Sequence, residues 1–276
     1  MSSISAWHLK GTKIEPISLE DQSSLDSITR QLPDGYYSTF RTFDGGRRVL
    51  GLDAHLRRLY EPVSAPDVDE VSLRRQLRAL LEPDRPGEAR VRLVMTKQGE
   101  AYIAIEPLKT LPREVYENGV RVETTELHRQ HPRLKSTTFI ARSDPKRKHI
   151  AQEGVFEALL VKDGKILEGM TSNFFYVSRA ERGEILCTAR DDILLGVTRQ
   201  TVIGIAQGRG LEVKHQPLQR DQLSAAAEAF ITSSSRGIVP VIQIDHVTVG
   251  EGRPGPITKE LMESYESYVI EHSEEI

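Results

Sequence analysis

A polar stretch over residues 126–133, with His128, Arg129, His131 and Pro132 in close succession, divides this 276-residue chain into two halves of similar length. Proline and charge at that density interrupt any regular element, so the stretch reads as a connector between two domains. The domains are expected at residues 1–128 and 134–276, with 129–133 between them. Each side carries its own pattern of strands and helices.

In the first half, the β-prone residues 36–42 run into the turn signal Asp44-Gly45-Gly46. This predicts a hairpin whose return strand is 47–52. Leu56, Leu59 and Tyr60 predict a short amphipathic helix over 54–62 that carries Arg57 and Arg58. A second helix is expected over 72–81, closed by the Pro83 and Pro86 region. Two strands, 89–96 and 101–106, flank Lys97-Gln98-Gly99. In the second half a helix ends near Gly154, and a strand over 155–161 meets the turn Asp163-Gly164. One return strand is expected over 166–177, with Glu168 near its start. A helix over 197–209 follows Gly196, and 229–232 and 239–244 are strands. The sum is an α+β fold in two domains.

Hydrophobic residues make up 38% and charged residues 28%, the balance of a globular protein. Cys187 is the lone cysteine, which excludes an internal disulfide and points to a reducing compartment. No apolar run reaches the roughly 20 residues that cross a bilayer, so a cytoplasmic protein is expected. A net charge of -3 argues against a general nucleic-acid binder. The basic run Lys146-Arg147-Lys148-His149 reads as a solvated helix face. Gly250 to Gly255 formally satisfies GxGxxG, but Pro254 sits inside it and too little chain follows for a βαβ unit. No metal is expected.

Five short segments carry chemistry. Lys135 lies in Leu134-Lys135-Ser136-Thr137, just after the connector; a lysine that forms a Schiff base must be partly desolvated, and a domain junction can supply that. Elsewhere such a residue is an ordinary surface lysine. Glu168 opens Glu168-Gly169-Met170-Thr171-Ser172-Asn173-Phe174-Phe175; a carboxylate beside a pyridine nitrogen keeps that nitrogen protonated. The alternative is a turn glutamate before a buried strand. Gly196-Val197-Thr198-Arg199 opens a helix whose free N–H groups and dipole suit a phosphate. Thr232-Ser233-Ser234-Ser235-Arg236 gathers hydroxyls at a strand end, where they can close on a phosphate or form a plain polar loop. Arg58 offers a permanent positive charge.

In this order, with Ala54-His55-Leu56-Arg57-Arg58-Leu59 at the front, the segments resemble the class IV aminotransferases, the fold-type IV pyridoxal-phosphate enzymes. The likeness spans about residues 35 to 265. Its most specific parts are the 33-residue step from Lys135 to Glu168 and the string EGxxSNxF. It implies a small N-terminal α/β sandwich and a larger C-terminal β-barrel-like domain, pyridoxal 5'-phosphate as cofactor, and a homodimer. Lys135 would then be the Schiff-base lysine and proton shuttle. Glu168 would hold the pyridine nitrogen, with Ser172 and Asn173 beside it. Arg58, Gly196, Val197, Thr198, Ser233 and Ser234 would surround the phosphate.

The likeness is weaker toward the substrate. Ser38 follows Tyr37 where many members have glutamate, Phe139 stands where a hydroxyl is frequent, and Lys97-Gln98-Gly99 lacks the Arg-x-His pair of the D-amino-acid enzymes. Asp144-Pro145 interrupts the segment after Lys135, and Pro145 would suit the first turn of a helix capped by Asp144. Arg41, Arg90, Arg92 and Arg129 are the candidates to meet a substrate carboxylate, and Tyr37 either lines the pocket or packs there; Arg90 and Arg92, two apart on a strand, share a face. The expected reaction is ping-pong transamination between an amino acid or primary amine and a 2-oxo acid. Elimination of the aminodeoxychorismate lyase type on the same cofactor site is the second enzyme reading. A cofactor-free binding protein on the same fold is the third.

Overall fold

The computed structural model describes residues 4–82, 87–180 and 183–276. The expected helix stop at Pro83 and Pro86 lies outside these residues. In chain order the elements of the first part are β1 (Ser5–Lys10), β2 (Lys13–Ile17), α1 (Leu25–Gln31), β3 (Gly35–Phe43), β4 (Arg48–Val49), α2 (Leu52–Tyr60), α3 (Glu70–Leu81), β5 (Ala89–Thr96) and β6 (Ala101–Pro107). Then come α4 (Arg113–Asn118), β7 (Val120–Thr125), α5 (Thr138–Gln152), β8 (Glu157–Lys162), β9 (Lys165–Gly169), β10 (Asn173–Ala180), β11 (Gly183–Cys187) and α6 (Val197–Gly208). The chain closes with β12 (Glu212–Lys214), β13 (Leu218–Gln219), β14 (Ala226–Ser233), β15 (Gly237–Ile244), β16 (Val247–Thr248), α7 (Pro256–His272) and β17 (Glu274–Glu275).

Two compact units result, and neither is one continuous half of the chain. The first takes residues 1–109, 134–142 and 269–276, and the second takes 110–133 and 143–268. This departs from the expected division at 1–128 and 134–276. The physical reason is strand pairing: β7 lies before the connector but runs parallel between β8 and β15, so it belongs to the second unit. The C-terminal β17 instead pairs with β4 of the first.

The first unit is built on a seven-stranded antiparallel sheet in the order β17-β4-β3-β5-β6-β1-β2. Alternation along β3, β5 and β6 sends Phe40, Val91, Leu93, Met95, Ile103 and Ile105 to one face. There they bury against Leu52, Leu56 and Leu59 of α2 and Leu73 and Leu77 of α3. The Asp44-Gly45-Gly46 turn forms with positive φ at all three residues. The return strand is much shorter than 47–52, because Gly51 takes a left-handed φ of 67° and starts α2.

The second unit holds a ten-stranded mixed sheet. The added pairing of β9 with β10 closes β10-β14-β15-β7-β8-β9 into a six-stranded barrel. Asp163 and Gly164, with φ of 50° and 72°, make the two-residue turn expected between β8 and β9. The single return strand expected over 166–177 is instead two strands, β9 and β10. The chain reverses at Met170–Ser172, where Gly169 N donates to Ser172 O at 2.8 Å. A Cβ on Gly169 would overlap the Ser172 hydroxyl, which would have to turn away. Asp144-Pro145 does not break its segment: α5 continues through Pro145, and Asp144 pairs with Lys148 one turn on at 2.9 Å. Phe175 and Phe230, both fully buried, stack across β10 and β14 with centroids 4.9 Å apart. Phe175→Ala is expected to cost ~3–5 kcal/mol, read as a lower urea midpoint at unchanged slope.

Candidate functional site

The residues marked by sequence fall into two groups, one in each unit. In the first unit Gly35 opens β3 against β5 so closely that any Cβ would overlap the Met95 carbonyl. The other edge of β3 receives residues 135–137. Tyr37 N donates to Lys135 O at 2.9 Å, Thr137 N to Gly35 O at 2.9 Å, and Tyr36 bridges Ser136. Lys135 is thus held by backbone pairing, with its Nζ 4.8 Å from the centroid of the buried Tyr37 ring.

Arg58 sits one turn after His55 on α2. Its Nη2 donates to Ser38 Oγ at 2.7 Å, so the Ser38 hydroxyl proton turns to His55 Nδ1 at 2.9 Å. The serine in place of the family's glutamate therefore makes a hydroxyl bridge between Arg58 and His55. His55 is buried, and burial followed by the charges of Arg58 and Lys135 holds its pKa well below the ordinary 6.5. A neutral buried histidine binds fewer protons than its unfolded counterpart, so below pH 6.5 this group lowers stability as pH falls. The expected slope is up to ~1.4 kcal/mol per pH unit, and urea titrations at several pH values should lose it in His55→Gln.

The arginines considered for a substrate carboxylate are each engaged. Arg41 pairs with Glu88, Arg90 with Glu106 at 2.6 Å, and Arg92 with Asp26. Arg90 and Arg92 share a sheet face with Tyr37, as their spacing implied; the Arg92 guanidinium lies 4.7 Å from the Tyr37 ring. Tyr37 is buried, 4% exposed.

In the second unit the β9–β10 closure sets Glu168 directly opposite Asn173. Glu168 is 1% exposed. Its Oε2 accepts from Asn173 Nδ2 at 3.2 Å and from Leu194 N at 3.1 Å, and its Oε1 accepts from Arg129 Nε at 2.9 Å. Asn173 also donates to Leu194 O at 2.7 Å. Gly196 caps α6, and a Cβ there would overlap Asn173 Oδ1, so the helix start and the carboxylate are packed together. Thr198 Oγ1 meets Ser234 Oγ at 3.4 Å, which brings the helix start and the hydroxyl loop into one place. Ser233 Oγ instead accepts from Arg236 Nε at 3.1 Å, and Ser172 Oγ faces Glu157 at 3.3 Å.

Sequence reasoning missed three contributors. Glu157, 2% exposed, ties Thr171, Ser172 and Arg236 together behind the turn. Arg129 was considered only for substrate, and Arg199 only as part of a helix start. Arg199 is 2% exposed and donates to Ala189 O at 2.7 Å. Burial, and then repulsion from Arg133, brings its pKa down to about 10. No local pattern announces such residues; a buried carboxylate at position 168 implies a cation somewhere, without saying which.

The donor set fits pyridoxal phosphate. A buried carboxylate suits a protonated ring nitrogen, and a helix start with two adjacent hydroxyls suits a phosphate dianion. The model of the family described as Amino-transferase class IV matches residues 35–244. The chain belongs to the class IV aminotransferases. The D-alanine aminotransferase of Bacillus licheniformis is 29% identical over 259 residues, covering 87% of this chain and 89% of that one. The branched-chain-amino-acid aminotransferase of Salmonella typhimurium is 36% identical over 121 residues, covering 43% and 37%. The crystal structure of the branched-chain aminotransferase of the thermophilic archaeon Thermoproteus uzoniensis superposes with a TM-score of 0.76 at 24% identity, covering 98% and 96%, which shows the fold. This class IV aminotransferase is thus a fold-type IV, pyridoxal-phosphate-dependent transaminase. Among the described residues no helix is long and apolar enough to cross a membrane.

Proposed function

We propose that Lys135 is the catalytic lysine of this transaminase, Glu168 the partner of the pyridine nitrogen, and the α6 start with Thr198 and Ser234 the phosphate cradle. The observation that carries the proposal is the environment of Glu168: a buried carboxylate receiving three N–H donors, one of them a guanidinium. Such a group stays anionic and suits a protonated ring nitrogen. Bound pyridoxal phosphate supplies an aldehyde for the amino group and a ring that withdraws electrons from the substrate carbon. The chain's own residues do the rest. Lys135 Nζ takes the proton from the substrate carbon and returns it two atoms along, a 1,3-shift. Asn173 and Leu194 N fix Glu168, while Gly196, Val197, Thr198, Ser233 and Ser234 supply N–H and hydroxyl donors to phosphate. Arg58, locked by Ser38 and His55, is assigned to the same phosphate by its place in the family's order.

The donor is an α-amino acid and the acceptor a 2-oxo acid, in keeping with the D-alanine and branched-chain names of the relatives. We place the enzyme in the cytoplasm as a homodimer; its lone, buried cysteine accords with a reducing compartment, and sedimentation reads the dimer. The test is a half-reaction. Holoenzyme is mixed with D-alanine, L-leucine or other D- and L-amino acids without acceptor, and the visible absorbance of the cofactor is followed. Conversion by at least one donor, reversed by its 2-oxo acid partner, is expected, and the handedness of that donor is read directly. No conversion by any donor would refute the reading.

A further inference from the structure

Glu168 does not meet the second unit's interior as a bare carboxylate. Arg129, within the polar connector, turns inward and is 9% exposed. Its Nε donates to Glu168 Oε1 at 2.9 Å, and its Nη2 donates to Met170 O at 2.8 Å. The second bond fixes the guanidinium plane, and through it the rotation of the carboxylate. Oε2 is oriented independently by Asn173 and Leu194 N. Arg199, buried nearby, is a second cation whose charged form Glu168 favours.

The electrostatics follow from burial. A carboxylate taken out of water without a cation prefers to bind a proton, and a protonated acid is a poor partner for a protonated ring nitrogen. Beside a guanidinium, which keeps its charge, the acid stays an anion before any ligand arrives. Oε1 is the oxygen paired to the guanidinium, and Oε2 receives the neutral donors Asn173 Nδ2 and Leu194 N.

We propose that Arg129 is a positioning residue for cofactor recognition: it keeps Glu168 an oriented anion, and so sets the protein's preference for a ring that carries a basic nitrogen. The proposal rests on the assignment of Glu168 to the pyridine nitrogen. Neither a catalytic step nor a substrate contact is assigned to Arg129.

The test is binding by the apo-protein of two probes, pyridoxal phosphate and its 1-deaza analogue, in which C–H replaces the ring nitrogen. Dissociation constants are measured for the wild type, Arg129→Leu, Arg129→Gln and Arg129→Lys. The wild type is expected to prefer pyridoxal phosphate. That preference should fall about tenfold in the leucine and glutamine variants and stay within about threefold of wild type in the lysine variant, which keeps the charge. A purely structural role would weaken both probes together and leave the ratio unchanged. A wild-type preference that persists in Arg129→Leu, or in Arg129→Gln if the leucine variant does not fold, overturns the proposal alone. A wild-type ratio near one overturns the assignment of Glu168 first, and the proposal with it.

Discussion

Lys135→Ala is expected to slow both half-reactions by ~10³-fold or more, because in the proposed role one side chain supplies both the covalent anchor and the proton transfer. The variant should also lose the linkage that borohydride reduction traps on the wild-type lysine. Cofactor affinity should fall far less than the rate, since the donors assigned to the ring nitrogen and phosphate are untouched. The fold should tolerate the change: residues 135–137 are held to β3 by backbone bonds, which alanine preserves. Stopped-flow rates with a competent donor check the prediction, and a variant within tenfold of wild type would remove Lys135 from its role.

Glu168→Gln is expected to act on stability and chemistry together. The amide cannot balance the buried Arg129 charge, and its NH2 group would face either the Arg129 donor or the donors on Asn173 and Leu194. Removing one partner of a buried ion pair costs ~3–5 kcal/mol, so the apo-protein should unfold at a clearly lower urea concentration. The half-reaction should slow ~10²-fold or more, as a ring nitrogen without an anionic partner loses its protonated form. Equal stability of the variant and wild type would show that Arg129 finds its compensation elsewhere.

Local chemistry was legible wherever one residue type decides the backbone. The Asp163-Gly164 turn, the glycine start of α6 and the amphipathic pattern of α2 follow from conformational and burial preferences of single residues and their neighbours. The reversal at Met170–Ser172 was hidden, because the apolar run on both sides reads as one strand. Only the bond from Gly169 N to Ser172 O and the pairing of β9 with β10 mark it. Pro145 shows the opposite failure: a helix breaker by propensity lies inside α5, and the lost backbone bond does not end the helix.

The order of motifs determined the family and the cofactor and singled out Lys135 and Glu168 as candidates, since spacing along a chain survives without knowledge of the fold. Tertiary structure decided what surrounds them. Strand pairing moved β7 out of the first unit and residues 134–142 into it. It set Arg41, Arg90 and Arg92 into ion pairs, and it brought Arg129 to Glu168 across 39 residues. Charge pairing depends on distance in space and on exclusion of water, and neither is written in the spacing of residues along the chain.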